Sequence, residues 1–387
     1  MKAVILAAGE GTRLSPLTNV RPKPMLPVAN RPVLEHVVTA VADAGVEEVV
    51  LVVGYKRERI QSHFGDGDAF GVDVTYAVQE TQLGTGHALL QAERFVGEDF
   101  LVLNGDKVVG PDVVAALVER RDATGDTAMA VADVDEPELY GVVEAADGTV
   151  TDLTEKPPAG EAASSIVNAG AYAFGPDVFA AVRRTESRAG ELSLVAALQD
   201  YMVDHPIQQV RYDGPWMDVT RPWDLVTVNG RLIDADGGGA GDAAVARTAP
   251  VADATAVADS ATVAAGAVVA RGTSLGPNAA VGPNAVVENA VVMTDATVEA
   301  GTVVRDCVVA ENARVGAGTV AAGGTTDIVV GEEVHRGVRF GGIVGDNASL
   351  GGNVTLAPGA RVGNDATVAG GALVDEDVPS GGDVRRG

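Results

Sequence analysis

Hydrophobic positions along this chain follow two rhythms, and the change falls near residue 240. In the first part, short apolar runs alternate with helical spacing. Lys2–Leu6, with the β-branched pair Val4 and Ile5, predicts a buried strand. Val33, Leu34, Val37, Val38 and Val41 recur at helical intervals until Gly45 closes the pattern. Glu48–Val53 reads as a second strand ending on Gly54 and Tyr55, and Val72–Val78 as a third. A helix is predicted over Thr85–Val96, a fourth strand over Phe100–Leu103, and later helices over Glu191–Val203 and up to Arg231. Strands alternating with helices predict a mixed, mainly parallel sheet covered on both faces, whose ligands gather at the carboxyl ends of the strands. The glycine turn after the first strand, Gln79 after the third and Asp106 after the fourth lie at such ends, which places them at one pocket.

Asp236–Ala243 (DGGGAGDA) is small and flexible and reads as a linker. Beyond it an aliphatic residue recurs at every sixth position: Val245, Val251, Val257, Val263, Val269, Leu275, Val281 and Val287. The phase slips, resumes at Val292, Val298 and Val304, then at Val309 and Val315. A last series runs from Val344 through Leu350, Leu356, Val362 and Val368 to Val374. A period of six fits neither a helix nor ordinary strand alternation. It is the hexapeptide pattern of a parallel β-helix, with one aliphatic residue of each hexad inside and small residues at the corners. The expected division is therefore an α/β domain at 1–232, a linker at 233–243, a β-helix at 244–378 and a flexible tail at 379–387.

Charge narrows the setting. The formal charge is −26 with 46% hydrophobic residues, so this is a folding chain and not a disordered acidic one. Its only lysines are Lys2, Lys23, Lys56, Lys107 and Lys156, and the acids are spread along the whole length, as in proteins kept soluble at high salt (a halophilic composition). Nucleic acid is disfavoured as a partner by the same field. The single cysteine, Cys307, rules out an internal disulfide and fits a reducing compartment. No apolar run reaches membrane-spanning length and the start runs straight into a strand, so a cytoplasmic protein with no membrane partner is expected.

Candidate chemistry concentrates in Leu6–Val28, LAAGEGTRLSPLTNVRPKPMLPV. The turn Gly9-Glu10-Gly11-Thr12 follows a strand and meets Arg13, and glycines there let backbone N–H groups approach a phosphate. Arg21 and Lys23 are each pinned by a proline (Pro22, Pro24), so two cations are expected near that turn. The pattern is not the dinucleotide fingerprint, because Leu14 replaces the third glycine, and no Walker lysine follows. On the glycines alone, a tight turn with a solvated basic loop is the lesser alternative reading. In Gln79–Leu89, QETQLGTGHAL, an amide can read a base edge, Gly84-Thr85-Gly86 brings backbone close to a flat ring, and Thr85 is placed to cap the next helix. Asp106 at a strand end suits Mg²⁺ beside phosphates, with Lys107 positioned to pair with it.

Taken whole, the 23-residue string GxGTRLxPLT…RPKPMLPV closely resembles the signature of the sugar-1-phosphate nucleotidylyltransferases, a likeness that extends to about residue 230. It implies a Rossmann-like nucleotidyltransferase domain in which Arg13 and Lys23 are catalytic and Leu6, Ala7, Ala8, Gly9, Gly11 and Thr12 bind the nucleotide. QLGTGHAL resembles the base-binding stretch of uridylyltransferases that make UDP-N-acetylglucosamine. This implies base contacts from Gln79, Gln82, Gly84 and Thr85 and favours UTP over dTTP. Tyr140-Gly141, Glu155-Lys156-Pro157 and Asn168-Ala169-Gly170-Ala171-Tyr172 resemble sugar-contact motifs, with Gly141 offering backbone, Glu155 and Asn168 meeting hydroxyls, and Lys156 the sugar phosphate. WxDV…PWDL, around Asp218 and Trp223, resembles the second metal carboxylate, so Asp218 and Asp106 are the expected Mg²⁺ ligands. The implied substrates are an NTP and N-acetylglucosamine 1-phosphate or glucose 1-phosphate.

The hexads resemble those of left-handed β-helices with three hexads per turn, which implies a homo-oligomer, usually a trimer, formed through the coil. Similar two-domain proteins acetylate an amino sugar with a coil histidine as general base. Here the corresponding place reads Ala322-Gly323-Gly324-Thr325-Thr326-Asp327, without histidine, and His335 falls in the following insertion, expected to be exposed. A trimerisation module is therefore preferred over an acetyltransferase. Three rival functions remain: glucose-1-phosphate thymidylyltransferase, a bifunctional enzyme, and a non-catalytic regulatory subunit, the last disfavoured by intact Arg13, Lys23, Asp106 and Asp218.

Overall fold

The computed structural model describes residues 1–385 except 159, 188, 189 and 332, so the last two positions of the expected tail lie outside the described residues. The chain packs as two units. One comprises Met1–Glu10, Pro22–Met25 and Val33–Asp218; the other comprises Gly11–Arg21, Leu26–Pro32 and Val219–Gly387. Packing thus divides the chain differently from the sequence boundary at 232. The last helix and two short stretches of the signature string count with the hexads.

The first unit is a nine-stranded sheet: β1 (Lys2–Ala7), β2 (Glu48–Val53), β3 (Asp73–Val78), β4 (Phe100–Asn104), β5 (Thr127–Asp133), β6 (Gly141–Ala146), β7 (Thr149–Glu155), β8 (Ile166–Phe174) and β9 (Ile207–Arg211), in the order β3-β2-β1-β4-β8-β5-β9-β7-β6. The first four strands are parallel, as the alternation of strands and helices requires, and β8 joins them antiparallel to β4. Alternate residues of β1 serve opposite faces. Ala3, Ile5 and Ala7 pack with Leu34, Val37 and Val38 of α1 (Val33–Asp43), whereas Val4 and Leu6 share a core with Leu89 of α3 (Thr85–Ala92). Helix α2 (Arg57–Phe64) and helix α4 (Pro111–Thr124) add Ile60 and Leu117 to the α1 side. Helix α5 (Val178–Arg184) and helix α6 (Leu194–Tyr201) add Phe179 and Leu198 to the other. Burying both faces explains why these strands are apolar runs without alternation.

The second unit is a coil of two- and three-residue strands in three parallel sheets of eight, six and six. Ala244 pairs with Thr262, Thr255 with Thr273 and Val268 with Val286, each eighteen residues on, so three hexads make a turn. This arrangement is consistent with the expected left-handed β-helix. The hexad aliphatics Val263, Val281, Val298, Val315, Leu350 and Val368 are buried and form one core. At the corners the chain turns through a left-handed residue, met by Asn278, Asn284, Asn312, Asn347 and Asn353, whose short amides tolerate positive φ. Asn312 and Asn347 are also linked side chain to side chain at 2.9 Å. Cys307 is buried in this core, and burial pushes its thiol up to about 12.

Three local expectations change. Helix α7 (Pro222–Asp236) reaches into the expected linker, and Gly239 beyond it already pairs with Ala256. The expected tail contains a strand, Asp383–Val384, paired with Thr367–Val368. The insertion after residue 324 is a β-hairpin, Thr325–Val330 against Glu333–Arg339. There His335 is not free in solvent: its ring packs edge-on against Trp223 at 5.2 Å. Among the described residues no helix is long and apolar enough to cross a membrane.

Candidate active site

The parallel strands of the first unit end together, and their last residues set the site. Ala8 follows β1 and its carbonyl accepts the Tyr55 amide, while Gly9 is exposed with open space around its α-carbon. Leu6, Ala7 and Ala8 are themselves buried, leaving backbone groups as what they can offer. Gln79 follows β3 and is buried. Its side-chain nitrogen donates to the Gly84 carbonyl at 3.1 Å and meets His87 Nδ1 at 2.9 Å. Exposed Gln82 reaches the Ala8 carbonyl at 3.5 Å. Gly54, after β2, was not singled out from sequence, yet a β-carbon there would lie 2.9 Å from the Gln79 carbonyl and 3.1 Å from Ala8. Its place beside the glycine turn was visible only as one more glycine after a strand.

The glycine turn at Gly84 has a structural task too. At φ 93°, a β-carbon on Gly84 would come within 2.6 Å of the Leu192 carbonyl. Thr85 does not cap α3, as expected from sequence. Its hydroxyl instead accepts the Leu194 amide at 3.0 Å, and Gly84 stands at the cap position. The predicted helix from Glu191 starts at Leu194, after Leu192 has exchanged backbone hydrogen bonds with Leu83 and Gly86 of this turn and Ser193 has capped the helix.

A charged cluster forms where β4 ends. Lys23 Nζ lies 2.6 Å from Asp106 Oδ2 and 3.4 Å from Asp218 Oδ1, so two carboxylates far apart in sequence converge on one cation. Lys107 does not pair with Asp106. Residues Lys107–Val108 run antiparallel to Met217–Asp218 with Lys107 opposite Asp218, and its Nζ is 3.6 Å from Asp218 Oδ2. The Lys107 ammonium also stands over the rings of Trp216 (4.6 Å) and Tyr140 (5.0 Å). Burial works against the Lys23 charge, but the carboxylates of Asp106 and Asp218 outweigh it and hold the ammonium well above lysine's usual range.

Two carboxylates aimed at one point fit a hard divalent cation that takes its remaining oxygens from phosphates and water. Among the described residues no cluster of three or more carboxylate, imidazole or thiol groups could hold a metal by itself. A Mg²⁺ ion here would therefore depend on the nucleotide's own oxygens.

The sugar-side residues also gather. Gly141 pairs with Glu155 across β6 and β7, and a β-carbon on Gly141 would stand 3.1 Å from Glu155 Oε2 and 3.7 Å from the Asn168 β-carbon. Lys156 is exposed, and its amide donates to the Tyr140 carbonyl at 2.9 Å. Asn168 is buried, donating to the Tyr172 hydroxyl at 2.6 Å and accepting the Gly170 amide at 2.9 Å. Tyr172 is core, its phenol pushed upward by burial.

The remaining signature residues belong to the second unit. Gly11 is left-handed at φ 72° and opens the turn Thr12–Leu14, on which Arg13 is exposed. Arg21 corrects the expectation of two cations near the glycines. Its side chain is only 1% exposed and lies against Asp346 and Glu311, so it is not available to a phosphate.

A family model described as nucleotidyl transferase matches residues 2–234, and one described as the GMPPB C-terminal domain matches residues 251–340. The bifunctional protein GlmU of Methanococcus maripaludis is 39% identical over 236 residues, 60% of this chain and 55% of that protein. The chain thus spans about half the length of such bifunctional relatives. The UTP–glucose-1-phosphate uridylyltransferase AglF of Haloferax volcanii is 38% identical over 60% of this chain and 96% of its own length. Among solved structures, one described as a glucose-1-phosphate thymidylyltransferase of Bacillus anthracis matches with TM-score 0.56 and 29% identity, over 60% of this chain and 94% of that one.

Proposed function

This chain belongs to the nucleotidyl transferase family, and on that footing we propose that it transfers a nucleotidyl group from an NTP, UTP before dTTP, to a sugar 1-phosphate. N-acetylglucosamine 1-phosphate and glucose 1-phosphate are the proposed acceptors. A phosphate oxygen of the sugar 1-phosphate attacks the α-phosphorus, the bond to the β-phosphate oxygen breaks, and pyrophosphate leaves with that electron pair. Little covalent work falls to the protein, so alignment and charge neutralisation are the catalysis.

The observation that carries this reading is Lys23 bridging Asp106 and Asp218 at the strand ends. Lys23 is proposed to leave these carboxylates for a substrate phosphate. Asp106 and Asp218 would then hold Mg²⁺, which supplies charge neutralisation to the phosphates when bound. Arg13, exposed on its turn, has its proposed triphosphate role from the signature string alone. Gly141, Glu155 and Asn168 lie close enough together to line one sugar, with Lys156 beside them for its phosphate. UTP is favoured by the QLGTGHAL string and by the uridylyltransferase relative.

The test is pyrophosphate release with Mg²⁺ in molar KCl, crossing UTP and dTTP with the two sugar phosphates. One strongly preferred UTP pair is expected. A dTTP preference would select the thymidylyltransferase reading, and silence from folded protein would sink the activity. The coil is proposed as an assembly module, supported by Val320 and Leu373, exposed on one coil face and joined through Thr355. Sedimentation reads it directly, and a monomer would overturn it.

A further inference from the structure

The second unit includes more of the signature string than its hexads require. Gly11–Arg21 and Leu26–Pro32 both fold as part of it, while the four residues between them, including Lys23, belong to the first unit. Each of the two stretches is hydrogen-bonded to the coil. Asn364 Nδ2 donates to the Pro16 carbonyl at 3.0 Å. The Arg21 guanidinium pairs with Asp346, reaches Glu311 at 3.0 Å and touches the Met293 sulfur at 3.3 Å. Past Lys23, buried Asn229 of α7 accepts the Ala29 amide and donates to the Gly272 carbonyl, each at 2.9 Å. Asn30 Nδ2 donates to the carbonyls of Ala256 (2.8 Å) and Leu275 (2.9 Å).

The central contact is a poor choice for stability alone. Arg21 and Asp346 are almost wholly buried, and among the described residues Arg21 Nε and Asp346 Oδ2 have no hydrogen-bond partner. Two charges taken out of water with atoms left unpaired are worth no more than well-packed apolar side chains, whereas they do fix one geometry. Here that geometry is the backbone of the stretch that carries Arg13.

We infer that the β-helix is the scaffold of the Gly11–Arg21 stretch, with Asp346 a positioning residue that acts through Arg21 on the turn that carries Arg13. The inference rests on the proposed nucleotidyl transfer for its activity arm only. A chain that loses the Asp346 charge then loses turnover, whereas a gap elsewhere in the coil core does not have this effect.

The experiment compares full-length Asp346→Asn, which keeps the shape and removes the charge, with Val298→Ala, which opens a gap in the coil core away from the ion pair. Both variants lower the melting temperature. In Asp346→Asn, amide exchange at Leu14 and Ser15, whose hydrogen bonds close the Gly11–Thr12 turn, is expected to accelerate. Its kcat is expected to fall about tenfold or more with KM little changed, since small misplacements of reacting groups cost rates of that order. Val298→Ala shows neither effect at a temperature where both remain folded. Asp346→Asn behaving like Val298→Ala would overturn the inference, as would faster exchange with undiminished kcat. If the wild-type protein releases no pyrophosphate from any substrate pair, the activity proposal fails, and the exchange comparison still decides whether Asp346 holds the string.

Discussion

Lys107 faces Asp218 across a two-residue strand pair, its ammonium on one carboxylate oxygen while Lys23 takes the other. Two of the chain's five lysines therefore share a single carboxylate, in a protein of net charge −26. Opposed charges at directly facing positions stabilise such a pair. A divalent cation that uses Asp218 must compete with both lysines. In Lys107→Ala, half-maximal pyrophosphate release is expected at a lower Mg²⁺ concentration, on the order of fivefold, the size of a modest ion pair. An unchanged or raised midpoint would show that Lys107 does not compete. Chelation of the metal is expected to abolish turnover in both proteins.

Lys23 is the change expected to do most damage. Lys23→Met leaves Asp106 and Asp218 facing each other without their shared cation, and removes the charge proposed for the substrate phosphate. Losing one preorganised electrostatic contact of this kind costs about 100-fold or more in turnover. Circular dichroism should show the fold retained, and pyrophosphate release at the wild-type rate would exclude the assigned role.

The pH response of that contact has a definite sign. Because the folded-state pKa of Lys23 is raised, its contribution to stability is fully present below the unfolded value of about 10.4 and is lost only as pH rises through the folded value. The difference in melting temperature between wild type and Lys23→Met is therefore expected to be flat from about pH 6 to 9. A slope in that window would mean Lys23 deprotonates there.

Gly84 carries a steric demand independent of any nucleotide. A methyl group would meet the Leu192 carbonyl at 2.6 Å on a left-handed backbone. Gly84→Ala should cost about 1–3 kcal/mol, read as a lower melting temperature, together with a higher KM for UTP. Full stability would mean that the turn can move away from Leu192.

For the coil, the expectation is an absence of chemistry. The hairpin Thr325–Val330 against Glu333–Arg339 carries a histidine, His335, that packs on Trp223. No thiol should be released from acetyl-CoA with glucosamine 1-phosphate. Steady release would restore the bifunctional reading.

What could be read from the sequence was periodic or terminal. The hexads gave the coil because each turn repeats the same demand for one buried aliphatic residue. Gln79 and Asp106 were placed by counting strands, because a parallel sheet gathers its carboxyl ends whatever the loops contain. Besides the element boundaries at the linker and tail, the misses in the candidate site were pairings of single side chains with partners remote in sequence. Arg21 looks like a phosphate ligand because its partner Asp346 lies more than three hundred residues away and leaves no local pattern. Thr85 looks like a cap because Leu194, whose amide it accepts, lies more than a hundred residues along the chain. Lys107 seemed destined for its neighbour, until a strand pair brought Asp218 opposite.

The phase slip among the hexads has a wider meaning. Val286 pairs with Val303 seventeen residues on, one fewer than the preceding turns, and the next pairings after the hairpin, such as Arg314 with Ser349, resume in register. A corner can thus drop a residue, or carry an entire hairpin, while the stacked faces stay aligned. Length in this half of the molecule is counted in whole rungs, and rungs can be gained, lost or decorated one at a time. The rungs bearing Glu311, Asp346 and Asn364 are the ones that hold Arg21 and the Pro16 carbonyl, so a gain or loss of rungs beyond them leaves those contacts in place.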